Sequence, residues 1–455
     1  MMKMLSRCPR LWFAGVAGLH AIYAFAAPDD FRAKAQEYLK AQLTVNQFSG
    51  AVLVAQNDGI LLRAGYGMAS RELEVPNTPQ TEFRLASITK SFTAIGIMML
   101  QEQGLLEVHD LLSKYYPDGP AIWKDITLHH LLTHTSGIPE YADAAWFKIM
   151  SQRMTKEEVI GLFKNRPLDF PPGDRYRYSN SGYFLLGCVI EKASGQTYEA
   201  FMRDHIFVPL QLADTGCNQI EAIIPRRAAG YSRNREGVWE NAAAMDMSQA
   251  FAAGCIYSTI GDMYRLDRAL RTGALLSRKS VETMFTPFTP HYGYGWDILT
   301  HFNRKLISHY GANAGYTAAF DRYPDENVCV VVLSNQDFRL ASTIARDLEA
   351  ILFREKYVLP REHKAVAVDP EIYERYVGRY EIASGKIVRI WRDGSHLMQE
   401  APTGAIFEFI PESETTFFGK FVDASFAFAG NANGVATELI VREGGGDEAI
   451  FRRVK

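Results

Sequence analysis

The sequence predicts an α+β protein: an antiparallel sheet flanked by helices, a mostly helical subdomain, and a small all-β domain at the C-terminus. Three observations carry this. Apolar residues at helical spacing recur at 29–47, 87–104, 181–193 and 339–357. Short β-type runs with tight turns between them occupy 49–64 and 292–334. After a charged, proline-bounded stretch at 358–370 the chain changes to brief aromatic runs separated by turn residues.

Taken in order, Lys3, Arg7 and Arg10 precede an apolar stretch from Leu11 to Phe25, and Ala24-Phe25-Ala26 offers a small-residue cleavage site. Residues 1–26 therefore read as a signal peptide, and a periplasmic or secreted protein is expected. The stretch falls short of the ~20 apolar residues a membrane span needs, and no later segment reaches that length, so no span is expected after cleavage. A net charge of −3 without a dense Lys/Arg run gives nucleic-acid binding no support. Phe31, Ala35, Tyr38 and Leu39 line one helix face. Ser49 to Ala55 reads as a strand, turned by Asn57-Asp58-Gly59 into a second from Ile60 to Ala64.

Ser87-Ile88-Thr89-Lys90 then opens an apolar helix closed near Gly104. Positions i and i+3 share a face, so Lys90 reaches the Ser87 hydroxyl. A serine becomes a nucleophile when a neighbouring base takes its proton, and a desolvated lysine is such a base. This is the only S-x-x-K in the chain, and Tyr178-Ser179-Asn180 is the only Y-x-N among 22 tyrosines. Thr127 to Gly137 reads as a short helix running into a turn, and Phe170-Pro171-Pro172-Gly173 as a rigid loop delivering Tyr178. His130 and His134 have the i, i+4 spacing of a zinc pair, but Leu131 stands where a metalloprotease needs Glu, so no metal is expected. Asp262 reads as a helix-start residue. Cys188 and Cys329 lie in buried patterns and read as free thiols, which leaves Cys217–Cys255 as the candidate bridge.

Ordered along the chain, Ser49 to Val54, Phe83 to Lys90, Leu131 to Gly137, Tyr178 to Tyr183, Tyr292 to Trp296 and a late strand ending in His309-Tyr310-Gly311 form a set. That set resembles the penicillin-recognising serine hydrolases: class C β-lactamases, D-Ala-D-Ala carboxypeptidases and related esterases. The resemblance implies a β-lactamase/transpeptidase-like domain over 27–357. It also implies a covalent acyl-enzyme mechanism without metal or cofactor. Ser87 would be the nucleophile, Lys90 its base and Tyr178 a proton relay. The backbone N–H groups of Ser87 and Ala312 would form the oxyanion hole. Asn180, His309, Tyr310 and Gly311 would bind substrate, with Asn180 alternatively holding Lys90. Substrates would be small esters, amides, β-lactams or peptides.

His309 stands where the family carries Lys, and Tyr310 where it carries a small hydroxyl residue. An esterase or amidase is therefore expected over a true β-lactamase or D-Ala-D-Ala carboxypeptidase, with a preference that weakens below pH 6 as His309 gains charge. A sensor that acylates without turnover is the reading from a different class. The tail, 371–455, resembles the lipocalin-like domain often appended to these hydrolases. Six runs of it, from Tyr376 to Val441, read as strands of a small barrel.

Overall fold

The computed structural model describes residues 29–454 except 220, 235–236, 338–339, 383–384, 401–405, 420–421, 431–433 and 444–446. The expected signal peptide lies outside the described residues. No helix among the described residues is long and apolar enough to cross a membrane.

Helix α1 (Phe31–Val45) buries the expected stripe of Phe31, Ala35, Tyr38 and Leu39. Strands β1 (Gly50–Gln56) and β2 (Gly59–Tyr66) form a hairpin. Asn57 and Asp58 both have positive φ, 50° and 65°, the pair of left-handed residues a tight β-hairpin turn requires. The chain then leaves the sheet and returns as β3 (Asp297–His301), β4 (Arg304–Asn313), β5 (Tyr316–Tyr323) and β6 (Val328–Ser334). All pairings are antiparallel, in the order β3-β4-β5-β6-β1-β2.

Every residue of β1, β5 and β6 is buried. Such strands are covered on both faces, which is why their sequence runs apolar instead of alternating. Val52, Val54, Val330 and Val332 meet α1 and the C-terminal helix of this domain, α6 (Leu340–Phe353). Leu53, Val331, Leu333 and Phe320 face the helical subdomain. That subdomain is built around α2 (Thr89–Glu102), α3 (Leu128–Leu132), α4 (Asn180–Ser194) and α5 (Ile260–Thr272). Helix α2 is buried nearly all round, and Lys90 in its first turn is fully buried with it. Thr127 caps α3 by accepting from the His130 N–H, a bond worth about 1 kcal/mol. Asp262 lies in the first turn of α5, as its sequence position suggests.

Eight antiparallel strands close the C-terminal barrel. Two of them, His396–Glu400 and Asp447–Val454, are additional to the six runs read from sequence. Their apolar signal is thin: His396–Glu400 buries Leu397 and the polar Gln399, and Asp447–Val454, half of it charged, packs Ala449 and Phe451 against the interior. Tyr380, Phe409, Phe417, Phe426, Phe428 and Leu439 fill the interior, as expected of a barrel of this size. The segment before it joins the barrel: His363 stacks on Phe418 at 4.7 Å, and the Val366 N–H donates to Pro411 O. The four cysteines among the described residues are free thiols. Cys217, at the end of the strand Gly216–Cys217, and Cys255, the C-cap of the helix Phe251–Gly254, are both free, so the candidate bridge does not form.

Candidate active site

The Ser87 turn forms where β-strand geometry gives way to α2. Ala86 holds φ +48°, a left-handed value that costs a non-glycine residue of order 1 kcal/mol. A single 3₁₀ turn, Ala86–Ile88, follows and runs into the helix. The turn is pinned by Leu85 N–H donating to Ile256 O at 2.8 Å. Ser87 is half-buried and reachable; Lys90 is fully buried beneath it.

The Lys90 amine makes three contacts, to Ser87 Oγ at 3.0 Å, Asn180 Oδ1 at 2.8 Å and Ala253 O at 2.8 Å. Burial pulls its pKa from 10.5 down to about 7, against the opposing pull of the Glu140 carboxylate. A neutral amine has two N–H groups and one lone pair. The two carbonyl acceptors consume the N–H groups, which leaves the lone pair for the serine proton.

The Tyr178 phenol neighbours the Ser87 hydroxyl, and the Lys90 amine sits 4.8 Å from the Tyr178 ring centre. Burial and the negative charges of Glu140 and Asp297 push the phenol well above its ordinary range. Tyr178 is thus a neutral O–H. His134 stacks on Tyr178 at 4.4 Å, and its Nδ1 accepts from Ser179 N–H, so its proton resides on Nε2. Burial, with Lys90 nearby, pushes it well below 6.5.

Strand β4 lies beside this turn. Strand β3 pairs only with residues 304–308 of β4, so 309–313 presents an edge with backbone groups unclaimed by β3. A side chain at Gly311 would meet the Leu85 carbonyl oxygen at 2.0 Å and Ser87 N at 3.1 Å. The close approach that demands glycine is therefore with the Ser87 turn. This contact sets the Ser87 N–H beside the strand that carries Ala312.

Two sequence expectations on this strand are corrected. His309 is buried, with Nε2 3.0 Å from Tyr292 Oη and Nδ1 2.8 Å from Tyr310 O. Nδ1–H donates to the carbonyl and Nε2 accepts from the phenol, so both ring nitrogens are engaged within the protein. Burial and Lys90 hold its pKa down at about 3, so it does not become cationic near pH 6. Tyr310 pairs with Ala319, whose side chain belongs to the layer against α1 and α6. His309 pairs with Phe320 on the opposite face. Successive strand residues alternate in direction, so the Tyr310 side chain points away from Ser87 and does not line a substrate site.

Sequence reasoning passed over Glu140 and Asp297, and gave Tyr292 a place in a block but no role. Asp297 is largely buried, raised to about 6 by burial, with His291 Nε2 at 3.8 Å. The pair at 130 and 134 separates: His130 Nδ1 accepts from Thr127 N–H, while His134 faces Tyr178. No cluster of three or more metal-ligating side chains occurs among the described residues.

The Beta-lactamase family model matches residues 33–353, and a second model, a domain of unknown function (DUF3471), matches residues 362–452. Penicillin-binding protein 4* of Bacillus subtilis (strain 168) is 29% identical over 432 residues, covering 89% of this chain and 95% of that protein. A crystal structure of a penicillin binding protein from Bacillus halodurans aligns with TM-score 0.63 at 30% identity, covering 69% of this chain and 98% of the other. The D-amino acid amidase from Ochrobactrum anthropi SV3, complexed with L-phenylalanine amide, aligns with TM-score 0.63 at 25% identity, covering 71% and 97%.

Proposed function

This chain belongs to the Beta-lactamase family, and on that premise we propose that it is an exported serine hydrolase acting on esters or amides through an acyl-enzyme at Ser87. The observation that carries the reading is the buried Lys90 amine, held by two carbonyl oxygens with Ser87 Oγ 3.0 Å away. The basic n-region, apolar stretch and A-x-A site support export.

In the proposed reaction Lys90 takes the Ser87 proton as Oγ attacks the substrate carbonyl carbon. The Ser87 and Ala312 N–H groups hold the resulting oxyanion, each donor worth roughly 10²–10³ in rate. The carbon–leaving-group bond then breaks. Tyr178 donates its phenolic proton to the departing atom and is reprotonated from Lys90, which returns the amine to its neutral form. A water then attacks the acyl carbon, loses its proton along the same groups, and Ser87 leaves protonated. Asn180 keeps Lys90 in line throughout. A neutral Tyr178 suits this relay, because it enters each step with a proton to give.

Substrate preference follows from position 309. A lysine there would be a permanent cation for a substrate carboxylate, whereas His309 is neutral with both nitrogens occupied. Loss of a charge-assisted bond costs about 1.5–3 kcal/mol. Esters and uncharged amides are expected to outpace β-lactams and D-Ala-D-Ala peptides. The likeness to an amidase agrees with that order, and the likeness to penicillin-binding proteins favours the second reading, a D,D-peptidase. The test compares a chromogenic cephalosporin, a short-chain p-nitrophenyl ester and a D-amino-acid amide, alongside fluorophosphonate labelling of wild type and Ser87→Ala. Labelling is expected only in wild type. Labelling that persists in Ser87→Ala overturns the nucleophile, and a faster cephalosporin than ester at pH 7 overturns the substrate order.

A further inference from the structure

Ile138-Pro139-Glu140-Tyr141 follows the Leu131–Gly137 block and is stitched to the turn that carries Tyr178. Ser179 Oγ donates to Ile138 O at 3.3 Å, and Ser181 Oγ to Pro139 O at 2.6 Å. In return Tyr141 N–H donates to Ser181 Oγ at 3.2 Å, and Asn180 N–H to Glu140 Oε2 at 2.5 Å. The second carboxylate oxygen, Oε1, accepts from Ala142 N–H at 2.7 Å, which fixes the plane of the carboxylate. Ser179 sits at the N-cap of α4 and makes no side-chain capping bond. Glu140 thus supplies from a distant segment the acceptor that a helix start lacks, where negative charge is favoured. Asn180 is the first residue of that helix and its Oδ1 accepts from Lys90.

We propose that Glu140 is a positioning residue for the acylation base: it fixes Asn180, and through it the Lys90 amine, and it holds a carboxylate charge facing that amine. The proposal rests on the reading of Ser87 and Lys90 given above. The other groups facing Lys90 bring no charge of their own. Tyr178 and Tyr183 present rings 4.8 and 5.8 Å away and are held neutral by burial. His134 and His309 are likewise neutral. Around Glu140, Tyr141 is pushed well up by burial, and the Arg166 guanidinium binds the Glu140 carbonyl at 3.0 Å and Asp143 at 3.3 Å. The Glu140 charge raises the proton affinity of Lys90 against burial, so its removal moves the base further down.

The experiment measures second-order rate constants for fluorophosphonate labelling across pH 5–9 in wild type, Glu140→Gln and Glu140→Asp, with Ser87→Ala as control and thermal melts for each. Glu140→Gln keeps an acceptor oxygen for Asn180 but no charge. Its acid limb is expected to move down by roughly one pH unit, with a plateau about tenfold lower from the disturbed amine. Glu140→Asp retains the charge on a shorter arm, so its limb is expected at the wild-type pH with a reduced plateau. A purely structural role would lower melting temperature without moving the limb. Labelling in Ser87→Ala would overturn the underlying reading. A limb in Glu140→Gln that coincides with wild type, while Ser87→Ala stays unlabelled, overturns the Glu140 proposal alone. Should the Gln variant not fold, a Glu140→Asp variant with the wild-type plateau overturns it as well.

Discussion

In the proposed mechanism Lys90 acts as base only in its neutral form, so the rate of Ser87 acylation is expected to follow the Lys90 titration. Burial brings that titration to about pH 7 from the usual 10.5. At pH 8 about nine in ten molecules then carry the neutral amine; at pH 5 about one in a hundred does. The labelling rate constant is thus expected to fall roughly 100-fold between these pH values, with a single-proton slope. Labelling by a fluorophosphonate isolates this step, because the adduct is not hydrolysed on the experimental timescale and deacylation drops out. Neither nearby histidine can mimic the limb, since His309 titrates near 3 and His134 well below its ordinary value. In Lys90→Ala the limb should vanish along with most of the rate. A flat profile from pH 5 to 8 would refute the reasoning. So would a rate that climbs without levelling beyond pH 9, which would mean that the amine keeps the proton affinity of an exposed lysine.

Two further outcomes are expected. Lys90→Ala and Tyr178→Phe should each cost orders of magnitude in acylation, and the double variant little more than the worse single, because groups on one proton path fail together; strictly additive losses would separate them. On the far side of the sheet, Asp321 and Glu349 are buried close together, Tyr323 Oη donates to Glu349 Oε2 at 2.6 Å, and burial raises Asp321 and brings Glu349 to about 7. The folded state keeps a proton that the unfolded chain releases near pH 4.5, so this pair favours the fold below pH 4.5 and loses that contribution as pH rises to 7. The loss amounts to about 3 kcal/mol, and urea unfolding at pH 5 and 8 should show Glu349→Gln removing most of that pH-dependent difference.

Local spacing made the core of the site legible. Ser87 and Lys90 are three residues apart, and Tyr178 and Asn180 two, so their pairing needs only a helix turn and a helix start. What was misread depended on facts that spacing does not carry. Gly311 answers to the Leu85 carbonyl, a contact between strands and turns more than 220 residues apart. The neutrality of His309 follows from burial and a partner, Tyr292, on another segment. Glu140 has no motif of its own, and its role emerges only when 138–141 meets 179–181. Tyr310 is the instructive case, because the strand period alone turns it away from the face that holds His309 and Gly311. In the barrel, the missed strands carry polar residues where an apolar alternation would show, Gln399 facing inward in one and four charged residues in the other, so their apolar signal was too thin to read.

Position 309 ties substrate choice to the tuning of the base. A cation there would attract carboxylates, and it would also press on Lys90, which already titrates with little company except Glu140. His309 avoids both effects by burying a neutral ring between Tyr292 and its own neighbour's carbonyl. The charges that remain near Tyr178 are then negative, those of Glu140 and, once ionised above about pH 6, Asp297. Such a field keeps the phenol protonated, as a relay to a leaving group requires, and repels a substrate carboxylate at the same time. In the proposed reaction, the same electrostatics that would let Lys90 and Tyr178 carry one proton between them would therefore favour an uncharged acyl donor.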